Sequence, residues 1–319
     1  MKAKYFLLLM LGLMTFINLA GYYKKSTEPK YHKHQDYSQT QPVEPPYEPP
    51  EEIKPEISTT IPTRELTYDE VNLMLNQWHK DAPEITELGV VGNSHRNRPI
   101  PYIRIGKKSG PKVLITAAIH GNEKLCAMTM LGVFNRILKN YMDDNKVTTL
   151  LKERDIYFIP IVSPEGYIRN SRYTLNLDPN RNFNGRNLSP KSSIPCVDAL
   201  KKFHEKHRFN AVMSCHNYGE IFFYPWGYTR RGTQIDGEYR SLLSKMGELS
   251  GYRHVRLHGR SAPPYYGYEI DWFHKHGACA IVNEVGTRFG ARRDEIERET
   301  TNNYEATLLF IKEAPLIRQ

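Results

Sequence analysis

Val113-Leu114-Ile115-Thr116-Ala117-Ala118-Ile119-His120-Gly121-Asn122-Glu123 is the stretch that decides the fold. An apolar run broken only by one threonine ends at a histidine and a glycine, and a helical pattern follows over 123–139. A short continuous apolar run bounded by turn residues reads as a strand buried on both faces. Similar runs recur at 85–91, 100–105, 156–162, 211–215 and 280–285. Helical spacing of apolar residues recurs at 66–80, 197–207, 237–249, 271–276 and 295–312. The helix at 66–80 has a Thr-Tyr-Asp-Glu segment at its start that can cap it. Strands alternating with helices predict an α/β domain with a largely parallel central sheet, in which the opening strands can pair antiparallel. No internal repeat interrupts this order.

The 319 residues are 39% hydrophobic and 25% charged. That composition supports a sizeable core and excludes full-length disorder, a collagen-like chain and a multi-span membrane protein. Four cysteines exclude a disulfide scaffold. The formal charge is +9, and the first 62 residues hold seven charges of each sign, so the whole excess lies beyond them. Such an excess serves solubility or attraction to an anionic partner. Basic runs stop at two residues and no basic–aromatic platform is present, which argues against a nucleic-acid partner.

Lys2 and Lys4 precede an apolar stretch at 5–20. Sixteen helical residues span ~24 Å, short of a ~30 Å hydrocarbon core. Residues 1–20 therefore read as an export signal, cleaved or kept as a membrane anchor, and the folded part as exported: secreted, periplasmic or tethered outside the cytoplasm. Residues 21–62 carry eight prolines and few Leu, Val or Phe, which reads as a disordered spacer. Residues 63–319 form the expected single folded domain.

Sites in such sheets gather beyond the carboxyl ends of the strands. His120 and Glu123 follow the first deciding strand, and His216 follows 211–215. Two histidines and a carboxylate suit a zinc ion that keeps its fourth position open. Each residue alone is a weak signal. Glu284 sits inside the apolar run 280–285, where a carboxylate without a role is costly. A general base for water activation beside a metal is such a role. Asn180-Arg181 sets an amide beside a guanidinium, which suits a carboxylate. Arg169 and Arg172 are candidates for steadying an oxyanion.

Taken in order, these pieces resemble the zinc metallocarboxypeptidase family, the carboxypeptidase A/B-like peptidases. The match comprises His120-x-x-Glu123, Asn180-Arg181-Asn182-Phe183, His216-Asn217-Tyr218, Tyr224-Pro225-Trp226-Gly227-Tyr228, Ile270-Asp271-Trp272 and Glu284. Gly92-Asn93-Ser94 with Arg98-Pro99-Ile100, and Ser163-Pro164-Glu165-Gly166-Tyr167, are similar to further family segments. The resemblance covers about 67–314. It implies one domain with a twisted, mixed eight-stranded sheet between helices. It implies one zinc per chain held by His120, Glu123 and His216, with Glu284 as general base and then proton donor. Asn180 and Arg181 would grip the free C-terminal carboxylate of a peptide, Arg172, favoured over Arg169, would polarise the scissile carbonyl, and Tyr218 would line the neighbouring subsite. The family's mobile tyrosine falls on Tyr265 or its neighbour Tyr266, because eight residues back from Asp271 stands Pro263. Ile270 would be the specificity position and implies apolar C-terminal side chains, although the Tyr268-Glu269 beside it is unusual. The implied activity is hydrolysis of C-terminal amide bonds. A cell-wall peptide hydrolase using the same zinc site and a non-catalytic tethered binding module are the alternatives. His204 to His207 read as a surface helix, His274 and His276 as exposed, and Cys126, Cys215 and Cys279 as small buried side chains, with Cys196 set apart and a bond between two of the four left open.

Overall fold

The computed structural model describes residues 62–141, 143–183, 193–258 and 266–317. The chain separates into two units, Met1–Pro46 and Tyr47–Gln319, and every described residue belongs to the second. The expected signal at 1–20, the spacer at 21–62 up to its last residue, and Tyr265 lie outside the described residues.

Eight strands make one mixed sheet: β1 (Thr86–Asn93), β2 (Pro99–Gly106), β3 (Lys112–Ala117), β4 (Asp155–Ile159), β5 (Ala211–His216), β6 (Ile221–Tyr224), β7 (Arg253–Arg256) and β8 (Cys279–Glu284). Their spatial order is β1-β2-β4-β3-β5-β8-β6-β7. The central four, β4, β3, β5 and β8, run parallel. β1 and β2 pair antiparallel, and β2 joins β4 the same way. β6 is antiparallel to β8 and parallel to β7. In the central four only Lys112 and Glu284, at opposite ends, are not fully buried. Burial on both faces is why these strands read as continuous apolar runs.

Helices cover both faces: α1 (Tyr68–Asp81), α2 (Lys124–Asn140), α3 (Asn145–Glu153), α4 (Pro164–Ile168), α5 (Pro195–His207), α6 (Asp236–Ser250), α7 (Glu269–Lys275) and α8 (Arg293–Glu313). Side chains alternate along each strand. Val113, Ile115 and Ala117 enter one core with α1, α2, α6 and α8, whereas Leu114 enters the other with α5 and α7. β5 does the same, with Met213 and Cys215 on the first side and Val212 on the second. α2 is buried almost all round, from Lys124 to Ile137, as befits a helix inside the larger core. α1 opens with a complete capping box between Thr67 and Glu70.

The structure adds four elements to those expected: β6, β7, α3 and α4. β7 is an edge strand, Arg-His-Val-Arg, with three of its four residues exposed, so it carries no apolar pattern. Two histidine expectations are corrected. His204 is buried, with Nε2 3.2 Å from the His276 carbonyl, and His274 is buried against the Tyr239 hydroxyl at 3.0 Å. All four cysteines are buried, unbonded thiols.

Candidate active site

The parallel strands carry the site at their carboxyl ends. β3 stops at Ala117, and Ala118 turns the chain with φ of +49° before His120. Gly121 follows, and a Cβ there would stand 1.8 Å from the backbone carbon of Gly166, so α4 packs directly on this turn. Glu123 caps α2. The Cys126 N–H at the start of that helix donates to Asn217 Oδ1 at 2.7 Å, which joins the β3 loop to the residue after β5. His216 ends β5 and Glu284 ends β8, and the two are register partners on adjacent parallel strands. Their side chains therefore emerge on one face of the sheet.

His120, Glu123 and His216 are all buried, and one ligand atom from each lies within 4.8 Å of the others. Nδ1 of His120 is 2.7 Å from Glu123 Oε1, and Nδ1 of His216 is 2.8 Å from Oε2. Both imidazoles thus turn Nδ1 to the centre. Their outer nitrogens meet carboxylates, Asp178 Oδ1 at 2.9 Å from His120 Nε2 and Glu269 Oε1 at 2.6 Å from His216 Nε2. Carboxylates behind ligating histidines fix the ring and its tautomer. Two nitrogens and one carboxylate, buried and convergent, fit a zinc ion with a fourth position open.

Arg172 donates to Asp178 Oδ2 through Nη2 at 2.9 Å and Nε at 3.1 Å, and its Nη1 stands 3.5 Å from Glu123 Oε1. Arg169 is exposed. Geometry therefore brings Arg172, and not Arg169, to the centre. Asn180 and Arg181 occupy a short 3-10 turn, Pro179–Arg181, capped by Asp178. Arg181 Nη2 donates to the Tyr268 hydroxyl at 2.9 Å, and its guanidinium lies 4.0 Å from that ring's centroid. Gly267, with φ of +77°, passes so close that a Cβ would meet the Arg181 carbonyl oxygen at 2.2 Å.

A cavity of about 380 Å³ opens here, lined by Asn180, Arg181, Tyr218, Ile221, Phe223, Leu257, Tyr268, Val282 and Glu284. Tyr218 is exposed on its wall, edge-on to Phe289 at 5.0 Å. Ile270, expected as the specificity position, is fully buried in the smaller core with Phe183 and Phe273, and Ile221, Phe223, Leu257 and Val282 are the apolar residues lining the cavity. The first turn of α7 points Ile270 into the core.

Burial pushes the Glu284 carboxyl up to about 7; His216 draws it down and the charge of Glu123 adds to the rise. Burial also raises Asp178, but the hydrogen bond and charge of His120, with Arg172 and Arg181, outweigh it and hold this carboxyl well below the usual range. Asp178, Tyr268 and Glu269 are the site residues to which the sequence reading gave no role. Asp178 stands two residues before Asn180, and Tyr268-Glu269 is conspicuous beside Ile270, but nothing in their spacing names His120, Arg181 or His216 as partners.

The family model described as zinc carboxypeptidase matches residues 71–306. Carboxypeptidase A4 of Mus musculus is 25% identical over 236 residues, 62% of this chain and 56% of that protein. Carboxypeptidase O of Bos taurus is 26% identical over 243 residues, 64% of this chain and 65% of that protein. The chain thus spans little more than half the length of the first of these relatives. Among solved structures, carboxypeptidase A from Helicoverpa armigera superposes with a TM-score of 0.68 at 18% identity, over 78% of this chain and 73% of that one. Bovine thrombin-activatable fibrinolysis inhibitor, in complex with tick carboxypeptidase inhibitor, gives 0.69 at 18% identity, over 78% of this chain and 97% of that one. These likenesses support the mixed eight-stranded architecture, and the family match, which spans most of the folded part and all the convergent residues above, establishes that the chain belongs to the zinc carboxypeptidase family.

Proposed function

We propose that this chain is a metallocarboxypeptidase that hydrolyses the C-terminal amide bond of peptides bearing a free carboxylate. The observation that carries this reading is one cavity holding Glu284, Asn180 and Arg181 next to the buried triangle of His120, Glu123 and His216. A zinc ion bound by that triangle supplies Lewis-acid chemistry, polarising the scissile carbonyl and acidifying a water.

The chain's own residues do the rest. Asn180 and Arg181 hold the terminal carboxylate, so the bond presented to the centre is the one before the last residue. Tyr218 and Tyr268 wall the same cavity. Glu284 accepts the proton of the attacking water and passes it to the departing amine, and a carboxyl lifted by burial toward neutral pH suits both halves of that task. Arg172 donates hydrogen bonds to the oxyanion that develops on the carbonyl oxygen. Asp178 holds His120 and Arg172 at once. The wall of Phe223, Leu257 and Val282 selects apolar C-terminal side chains. The basic-then-apolar run at 1–20 directs the enzyme to export, where its substrates are extracytoplasmic peptides.

The test compares peptides of one sequence ending in a free acid or in an amide, with released residues followed by mass spectrometry. Release of single apolar residues from the acid alone supports the reading. Equal cleavage of both forms refutes the carboxylate grip.

A further inference from the structure

Glu269, the first residue of α7, is fully buried. A carboxylate withdrawn from water is costly unless something uses it. Oε1 lies 2.6 Å from Nε2 of His216, whereas Oε2 has no hydrogen-bond partner among the described residues. Asn180 Nδ2 and Ser214 Oγ also approach that nitrogen, but only to 3.4 and 3.5 Å. A carboxylate only accepts, so Nε2 supplies the hydrogen and Nδ1 is left as the ligating atom. The Glu269 backbone N–H donates to Asn180 Oδ1 at 2.9 Å, the amide proposed above to hold the substrate's carboxylate.

We propose that Glu269 is a positioning residue that sets the ring of His216 for the cation and ties that ligand to Asn180, so that the metal half and the carboxylate-gripping half of the site share one anchor. The proposal rests on the zinc reading of the preceding section. It accounts for the acidic residue beside Ile270 and for the direction in which Nδ1 of His216 faces. Loss of a carboxylate behind a ligating histidine typically weakens metal binding by about 10- to 100-fold.

The test uses the full chain, as wild type, Glu269→Ala, Glu269→Asp and Glu269→Gln. Zinc affinity is measured by competition with a chromophoric chelator, and unfolding is followed without metal. Glu269→Ala should bind zinc about 10- to 100-fold more weakly while its metal-free unfolding temperature is not lowered. Glu269→Asp keeps the charge but withdraws the acceptor, whereas Glu269→Gln keeps an acceptor oxygen in place. Positioning therefore predicts that Asp loses more affinity than Gln, and this pair carries the test if the alanine variant does not fold. Zinc affinity within about threefold of wild type in both Ala and Asp, or the reverse order of Asp and Gln, overturns the proposal. If those variants match a wild type that binds zinc and cleaves peptides, only the role of Glu269 fails. If the wild type binds no zinc, the functional reading fails and takes this proposal with it.

Discussion

Glu284→Gln removes the proposed base with almost no change in volume, so the fold and the cavity survive the substitution. Glu284 ends β8 as the register partner of His216, within the cavity that also holds Asn180 and Arg181. A positioned base contributes roughly 10²- to 10⁴-fold. At about 1.4 kcal/mol per decade, that is about 3–5 kcal/mol of barrier. Burial sets the carboxyl near 7 in the cation-free chain, and a bound divalent cation draws it lower. The base must be ionised, so wild-type kcat/KM falls as pH drops through a value at or below about 7. Steady-state release of the C-terminal residue, measured across pH with zinc content checked in parallel, reads both effects. The variant keeps its zinc, loses at least about 10²-fold in kcat and lacks that acid limb. A second readout follows from linkage. A carboxyl raised above its unfolded value contributes stability that is present below the unfolded value and lost as pH rises through the folded one. The metal-free wild type therefore loses stability relative to Glu284→Gln between about pH 4.5 and 8, and the variant melts higher at pH 8. Turnover within about tenfold of wild type refutes the assignment of the base.

Three other substitutions follow from the geometry. Arg181→Met removes a charged grip worth about 1.5–3 kcal/mol, so kcat/KM for free-acid peptides falls roughly 10- to 100-fold, mostly through KM, in the same release assay. Ile270→Ala opens a hole in the smaller core and costs about 2–5 kcal/mol in denaturant unfolding, with the order of preference among C-terminal residues unchanged. Gly121→Ala drives a methyl group into the Gly166 backbone, so circular dichroism and zinc content should show a chain that does not assemble the site.

The readable parts of this molecule were those whose signal is local. The central strands are buried on both faces, so their apolar runs stand out, and the candidate ligands sit where such strands end. His120 and Glu123 are three residues apart, and His216 and Glu284 each close a strand. What stayed hidden depends on distant partners. Glu269 stands 53 residues from His216, and Asp178 stands 58 from His120. His274 is buried where Tyr239, on another helix, and the Trp226 ring pack against it. The position of Ile270 before Asp271 does not say which way it faces, and the first turn of α7 turns it into the smaller core. β7 left no trace because an exposed edge strand of arginines and histidine has no face to bury.

The most direct test of the whole account is a zinc titration. The full chain is stripped of metal, zinc is returned in steps, and release of the C-terminal residue from an apolar-ended peptide is followed. The account predicts no release from the stripped chain and a linear rise that levels off at one zinc per chain, with His216→Ala silent throughout. Full activity without metal, or zinc saturation with no residue released, contradicts it.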